Sequence, residues 1–133
     1  MSLDNQIKSF LSATSFGVVG ASNDPDKYGH KCFKCLLQAG RTAYPVNPRA
    51  KEVLGHPAYP DVASLPEKVE SLSIITPPSV TEKVVDDAIA AGVKNLWMQP
   101  GAESRAAVDK ATRAGLNVIP GNACLLVVLR YHE

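Results

Sequence analysis

The sequence lacks the glycine pattern that announces a dinucleotide. Such a site asks for G-x-G-x-x-G after the first strand, so that backbone can approach a pyrophosphate. In VVGASNDPDKYG, residues 18–29, Gly20 closes the strand, Gly17 lies upstream inside it, and the next glycine is Gly29. The phosphate loop G-x-x-x-x-G-K-[ST] is also absent, which argues against nucleotide hydrolysis. Charge of one sign is lacking too: 14 Lys+Arg against 13 Asp+Glu leave +1 over 133 residues. No whole-molecule field draws the chain to nucleic acid or to an anionic membrane, so any anionic ligand must be held by a local site.

Long apolar runs are missing, and none approaches the roughly 20 residues that span a bilayer. The N-terminus, MSLDNQIKSFLSA, has no basic region followed by an apolar one and is not a secretory signal. It reads as a short amphipathic helix with Ile7, Phe10 and Leu11 on one side. Cysteine is scarce and odd in number, three in all, and nothing suggests export. A reduced, cytoplasmic protein is expected.

What is present alternates. Short apolar runs at 16–20 (FGVVG), 42–46 (TAYPV), 71–76 (SLSIIT), 94–98 (KNLWM) and 116–119 (LNVI) are expected strands. Between them, helical patterns run from about Gly29 to Ala39, from Ser79 to Ala91 and from Ser104 to Ala114, each followed by glycine. Ser79 with Glu82 three residues later gives a capping-box pattern. The ending LLVVLR suits a sixth strand or a tail packed on the sheet. Residues 47–69 hold four prolines, and a loop with a short strand near Ala58 and Tyr59 and one helical turn near Pro66 is expected. The length suits one domain, 1–133. Strand–helix alternation implies βαβ units and a parallel sheet covered on both faces.

Ligands of open parallel sheets bind beyond the carboxyl ends of the strands. Those ends read GASNDPDKYG, PVNPR, TPPS, MQPGAES and PGNAC, whereas the opposite turns (AGR, AGV, AGL) are short connectors. Turns favour glycine, proline and small polar residues in any case, but five such turns at one edge suggest a shaped rim. After the first strand, backbone N–H groups leading into a helix suit a phosphate, with Ser22 adding a hydroxyl and Lys27 a charge. After the second, neutral Asn47 and basic Arg49 stand where an NAD site places a carboxylate. NADP stays open there, although the glycine pattern counts against it. Pro77 and Pro78 offer a flat apolar wall flanked by Thr76 and Ser79. Gln99 is a candidate ligand contact, and Trp97 beside it a core residue.

Other chemistry is weaker. Cys32 and Cys35 form C-x-x-C inside a helix beside Phe33 and Leu36, so they read as core thiols, not as a redox pair or zinc site. His30, His56 and His132 are dispersed without an orienting carboxylate. Asp86 and Asp87 suit a solvated helix face. No nucleophile–base–orienter set emerges, and no metal site.

The stretches VVGASNDPDKYG, YPVNPRAKEVLGHPAYPDVASLP, TPPS, LWMQPGAES and AGLNVIPGNACLLV together resemble the stand-alone CoA-binding proteins. They are similar to the N-terminal CoA-binding domain of the succinyl-CoA synthetase α subunit. The resemblance covers about residues 16–128. It implies a Rossmann-like, three-layer αβα fold with a mostly parallel five- or six-stranded sheet, and coenzyme A held along its carboxyl edge. By position, Gly20, Ala21, Ser22, Lys27, Tyr28 and Gly29 would hold phosphates, and Val46, Asn47 and Pro48 would flank ribose and adenine. Thr76, Pro77, Pro78 and Ser79 would wall the adenine; Gln99, Gly101 and Asn122 would approach the pantetheine. Lys27 and Arg49 are the candidates for charge neutralisation, on physical grounds more than on the resemblance.

Succinyl-CoA synthetase has a second domain with a phosphorylated histidine and a nucleotide-binding β subunit. No histidine here matches that residue, and the sequence stops where that domain would begin. The expected function is therefore binding of CoA or an acyl-CoA without catalysis, as a possible homodimer or with an unknown protein partner. The alternatives are an NADP-linked oxidoreductase or the CoA-binding subunit of a split acyl-CoA ligase. Storage of CoA as a mixed disulfide with Cys124 is a further reading.

Overall fold

In the computed structural model, which describes residues 2–131, the five expected strands pair side by side. They are β1 (Ser15–Val19), β2 (Thr42–Val46), β5 (Ser71–Ile74), β6 (Asn95–Met98) and β7 (Asn117–Pro120). All neighbours are parallel, in the order β2-β1-β5-β6-β7. The chain winds outward from β1 to β2 and then crosses back to β5. The order therefore reverses between β1 and β5, where open sheets of this kind leave a crevice.

The sheet is buried on both faces, and the pleat assigns alternate residues to two cores. Phe16, Val18, Ala43, Trp97 and Ile119 face helices α1 (Leu3–Leu11), α2 (Tyr28–Gln38) and α5 (Leu125–Val128). Val19, Val46, Leu72, Ile74, Leu96, Met98 and Val118 face α3 (Pro78–Ala91) and α4 (Arg105–Arg113). On β5 this alternation puts Ser71 and Ser73, both fully buried, on the α1/α2 side. Each is satisfied: Ser71 donates to the Phe10 carbonyl (2.8 Å), and Ser73 accepts from the Gln99 amide (3.1 Å). Trp97 lies edge-on to Phe10 and donates to the Ala123 carbonyl (2.9 Å), as a core residue.

Three local expectations change. LLVVLR, expected as a sixth strand or a tail packed on the sheet, is no strand but packs on the sheet as α5, because Leu125, Leu126 and Leu129 share one helical face and Leu125 is fully buried. Helix α3 is not capped by Ser79. It starts one residue earlier at Pro78, whose missing N–H costs nothing at that position, with Pro77 as N-cap. Glu82, free of a capping role, accepts instead from Ser104 (3.1 Å). Between β2 and β5, a small hairpin of β3 (Glu52–Val53) and β4 (His56–Pro57) precedes a bridge from Tyr59 to Val46. The helical turn expected near Pro66 is a 3₁₀ turn at Val62–Ser64, capped by Asp61.

The N-terminal amphipathic helix holds as α1, with Phe10 fully buried. Cys32 and Cys35 are buried core thiols of α2, and Asp86 on exposed α3 surface pairs with Lys110. His132 lies outside the described residues. Among the described residues, no helix is long and apolar enough to cross a membrane and no group of side chains has metal-site geometry.

Candidate functional site

The β1–α2 turn explains its own glycine spacing. Gly20 has φ +95°, and a Cβ there would lie 1.9 Å from the carbonyl oxygen of Ile75, the residue just past β5. Gly29, in the first turn of α2, lets the helix rest on that same corner; its Cβ would fall 1.9 Å from the Gly20 carbonyl oxygen. The two glycines are a contact pair, not a scattered remnant. Residues 21–27 bulge out between them as a loop.

Each part of that loop is tied to a different element. The Ala21 carbonyl accepts from Asn47 Nδ2 at the end of β2 (2.7 Å), and the Ser22 carbonyl pairs with His30 Nδ1 of α2 (2.9 Å). Asn23 donates to the Glu52 carbonyl (2.6 Å) and accepts from Leu54 N–H (3.2 Å), which pins the loop to the β3–β4 hairpin. Ser22 Oγ accepts from Asp24 N–H (3.0 Å) and Asp24 Oδ1 from Asp26 N–H (3.0 Å). The loop leads to a helix that, like α3 and α5, has no side-chain cap. Lys27 is the N-cap of α2, no side chain caps that helix, and its first turn holds no acidic residue. Helices α1 and α4, by contrast, are capped by Ser2 and Ser104.

The expected site residues fall into two groups. Gly20–Gly29 and Val46–Arg49 are brought together by the Asn47–Ala21 bond. Within this group Lys27, Pro48 and Arg49 are exposed, and Val46 is packed into the core at 2% exposure. Asn47 also accepts from Arg49 N–H (2.8 Å), so its amide braces the loop on both sides. In the second group, Thr76 and Pro77 face Gly101 across a cleft of about 330 Å³ also lined by Ile75, Pro100 and Ala102. Pro77, Pro78 and Ser79 are exposed at its lip, and Thr76 shares a hydroxyl bond with Thr81 (2.7 Å). Gly101 donates to Glu103 (2.8 Å). Asn122 is exposed in the turn between β7 and α5. A larger cleft of about 470 Å³, near Lys68 and Asp87, lies between the 3₁₀ turn and α3 and touches none of the expected site residues.

Gln99 joins the groups from below. It is fully buried, donates to Ser73, and its carbonyl accepts from Leu125 N–H (3.0 Å) and Tyr28 OH (3.3 Å). Its side chain is thus committed to α2, β5 and α5, and stands under the rim as a brace. Tyr28 turns its hydroxyl inward to Gln99 and to Cys124 Sγ. Burial, then that contact with Cys124, pushes the phenol well above its usual range. Burial does the same to the Cys32 thiol, while Cys35 is pushed up to about 11. These groups stay protonated near neutrality and supply no nucleophile.

His30, Ser73 and Thr81 bond the expected residues Ser22, Gln99 and Thr76, and Asn23 ties their loop to the hairpin, roles that the sequence pattern does not mark. Only the alternation of SLSI in β5 hints at a polar side chain aimed under the rim.

Comparison with known proteins fits this geometry. The CoA binding domain family matches residues 14–130. An ADP-forming acetate–CoA ligase of Archaeoglobus fulgidus is 33% identical over 118 residues, 81% of this chain but 17% of the ligase. The α subunit of an ADP-forming acetate–CoA ligase of Pyrococcus furiosus is 31% identical, over 85% of this chain and 27% of that subunit. The chain thus spans about a quarter or less of the length of these two ligase polypeptides. A solved structure of a conserved hypothetical protein from Pyrococcus furiosus superposes with TM-score 0.81 at 38% identity, covering 86% of this chain and 97% of that one. With a five-stranded parallel sheet, a contact pair of glycines at its first turn and a family match across nearly its whole length, the chain belongs to the CoA-binding domain family, related to the CoA-binding domain of the succinyl-CoA synthetase α subunit.

Proposed function

We propose that this chain binds coenzyme A or an acyl-CoA along the carboxyl edge of its sheet and performs no catalysis of its own. The observation that carries the reading is the entry of α2, an uncapped helix N-terminus with a lysine as N-cap. Unsatisfied first-turn N–H groups and the positive end of the helix dipole make a lysine there locally unfavourable. A phosphate would satisfy both the N–H groups and the ammonium. Ser22, with a hydroxyl proton to give, adds a donor, and Arg49 a second exposed cation. The donor set therefore fits a phosphorylated ligand.

The remaining parts fit the rest of such a molecule. The cleft between Pro77 and Gly101, rigid and free of donors on its proline side, suits the flat face of an adenine or the pantetheine arm. Bound CoA would bring a thiol able to carry an acyl group as a thioester. The Tyr28 phenol, turned inward to Gln99 and Cys124 and held protonated by burial, offers no base to such a thiol.

The test is a thermal-shift and calorimetric panel. A ligand that binds only the native state raises the melting temperature by mass action. CoA is expected to give a shift that grows with concentration, while NAD and NADP give none. No shift at millimolar CoA sinks the reading, and a shift with NADP alone favours an oxidoreductase.

A second reading, the CoA-binding part of a split ligase, is favoured by the similarity to an acetate–CoA ligase α subunit. It requires a partner that supplies the nucleotide site. Affinity purification that returns a stoichiometric ligase-type partner would support it, and a chain recovered alone would favour the stand-alone module.

A further inference from the structure

His30 is the third residue of α2, 7% exposed, and its Nδ1 lies 2.9 Å from the Ser22 carbonyl oxygen. A carbonyl only accepts, so Nδ1 carries the proton. At the third position of a helix, a side chain that reaches back ordinarily caps the helix itself. Here the imidazole donates past the N-cap, to a residue eight positions upstream, and no side chain caps the first turn.

The consequence lies in the peptide planes. No cis peptide is present among the described residues, and across a trans peptide the carbonyl and the following N–H point in opposite directions. Asn47 holds the Ala21 carbonyl, so the Ser22 N–H is directed away from Asn47. His30 holds the Ser22 carbonyl, so the Asn23 N–H is directed away from His30 and out of the buried corner. Asn23 is itself clamped to the hairpin through both ends of its amide, which stops the plane from flipping.

We propose that His30 is a positioning residue for the anion-binding loop. Its Nδ1–H fixes the Ser22–Asn23 peptide plane so that the loop presents backbone N–H, and not carbonyl oxygen, to a phosphate. The role rests on the CoA reading above and adds a specific device to it. It also accounts for a histidine where a lysine or arginine would seem simpler. A permanent cation buried at the positive end of α2 would be penalised by the dipole, whereas an imidazole Nδ1–H can donate without a permanent charge.

Two substitutions separate orientation from bulk. In His30→Asn, the amide nitrogen stands as many bonds from Cβ as Nδ1 does, so the donor is kept. In His30→Leu, volume is roughly kept and the donor is lost. CoA affinity measured by calorimetry is expected within about threefold of wild type for the Asn variant and about tenfold weaker for Leu, which is about 1.4 kcal/mol. Nitrogen-15 NMR of the wild type should show His30 as the Nδ1–H tautomer in its neutral form. Equal CoA affinity in wild type and the Leu variant overturns the proposal, as does equal weakening in Asn and Leu. An Nε2–H tautomer in the wild type overturns it even if the variants misfold. Failure of the wild type itself to bind CoA would instead sink the functional reading together with this role.

Discussion

The contact between Gly20 and Gly29 settles at single-residue scale what the spacing of glycines means. In a dinucleotide turn, one glycine bends the chain, one clears the ligand and one admits the helix. Here the bend belongs to Gly20 and the helix approach to Gly29, and the residues between them form a longer loop. Gly29→Ala places a methyl 1.9 Å from a backbone oxygen that cannot rotate away. Helix and strand must separate, which is expected to cost about 1–3 kcal/mol, as overpacking commonly does. Urea unfolding should show a lowered midpoint at unchanged m, and CoA affinity should fall with it. An unaltered midpoint would mean that α2 does not rest on the Gly20 corner. The same scale shows where residue type misleads. A strand end shows nothing of which neighbour its side chain meets, and Asn47 and Gln99, expected as ligand contacts, each also hold protein groups, Asn47 the Ala21 carbonyl and Gln99 the groups of Ser73, Leu125 and Tyr28.

Among the elements, α2 sacrifices its own stability at the N-terminus. Helices α1 and α4 each begin with a serine whose oxygen takes a backbone N–H (3.2 and 3.3 Å). Replacing the lysine that opens α2 with an aspartate should supply that cap and complement the dipole. Lys27→Asp is therefore expected to stabilise the ligand-free protein by about 0.5–2 kcal/mol, while weakening CoA binding at least tenfold through the reversed charge. A scan of melting temperature with and without CoA reads both effects, and a variant that loses stability without ligand would refute the account. Helices α2, α3 and α4 were legible in outline because apolar residues recur at helical spacing and a glycine follows each within two residues. Their starts were less so. Ser79 and Glu82 satisfied the capping pattern, yet Pro78 suits the first helical position better, and the helix begins there. In LLVVLR the adjacent valines suggest a strand, but Leu125, Leu126 and Leu129 already carry a helical stripe, and the Leu125 N–H finds its acceptor in Gln99.

For the whole molecule, the parallel sheet and the irregular turns along its carboxyl edge were readable because strand period and turn chemistry are local properties. The polar groups buried beneath that edge were not, since they are assembled from residues up to 96 positions apart, as Tyr28 and Cys124 are. That buried corner has a global consequence for alkaline stability. The Cys35 thiol rises from 9.0 to about 11 through burial, with the neighbouring Cys124 adding to it. Cys32 and Tyr28 are pushed further in the same direction, again by burial first. Each group is neutral when protonated, so between its unfolded and folded values the native state holds a proton that the unfolded chain has lost. Stability is then fully present below pH about 9 and falls as pH rises. For Cys35 the decline runs to about pH 11, and for Cys32 and Tyr28 it continues beyond. Urea midpoints measured from pH 8 to 11 should decrease steadily. In Cys35→Ala the slope should be shallower by up to one proton, whatever the variant's absolute stability. A slope identical to wild type would show that the Cys35 thiol ionises as readily in the folded protein as in the unfolded chain.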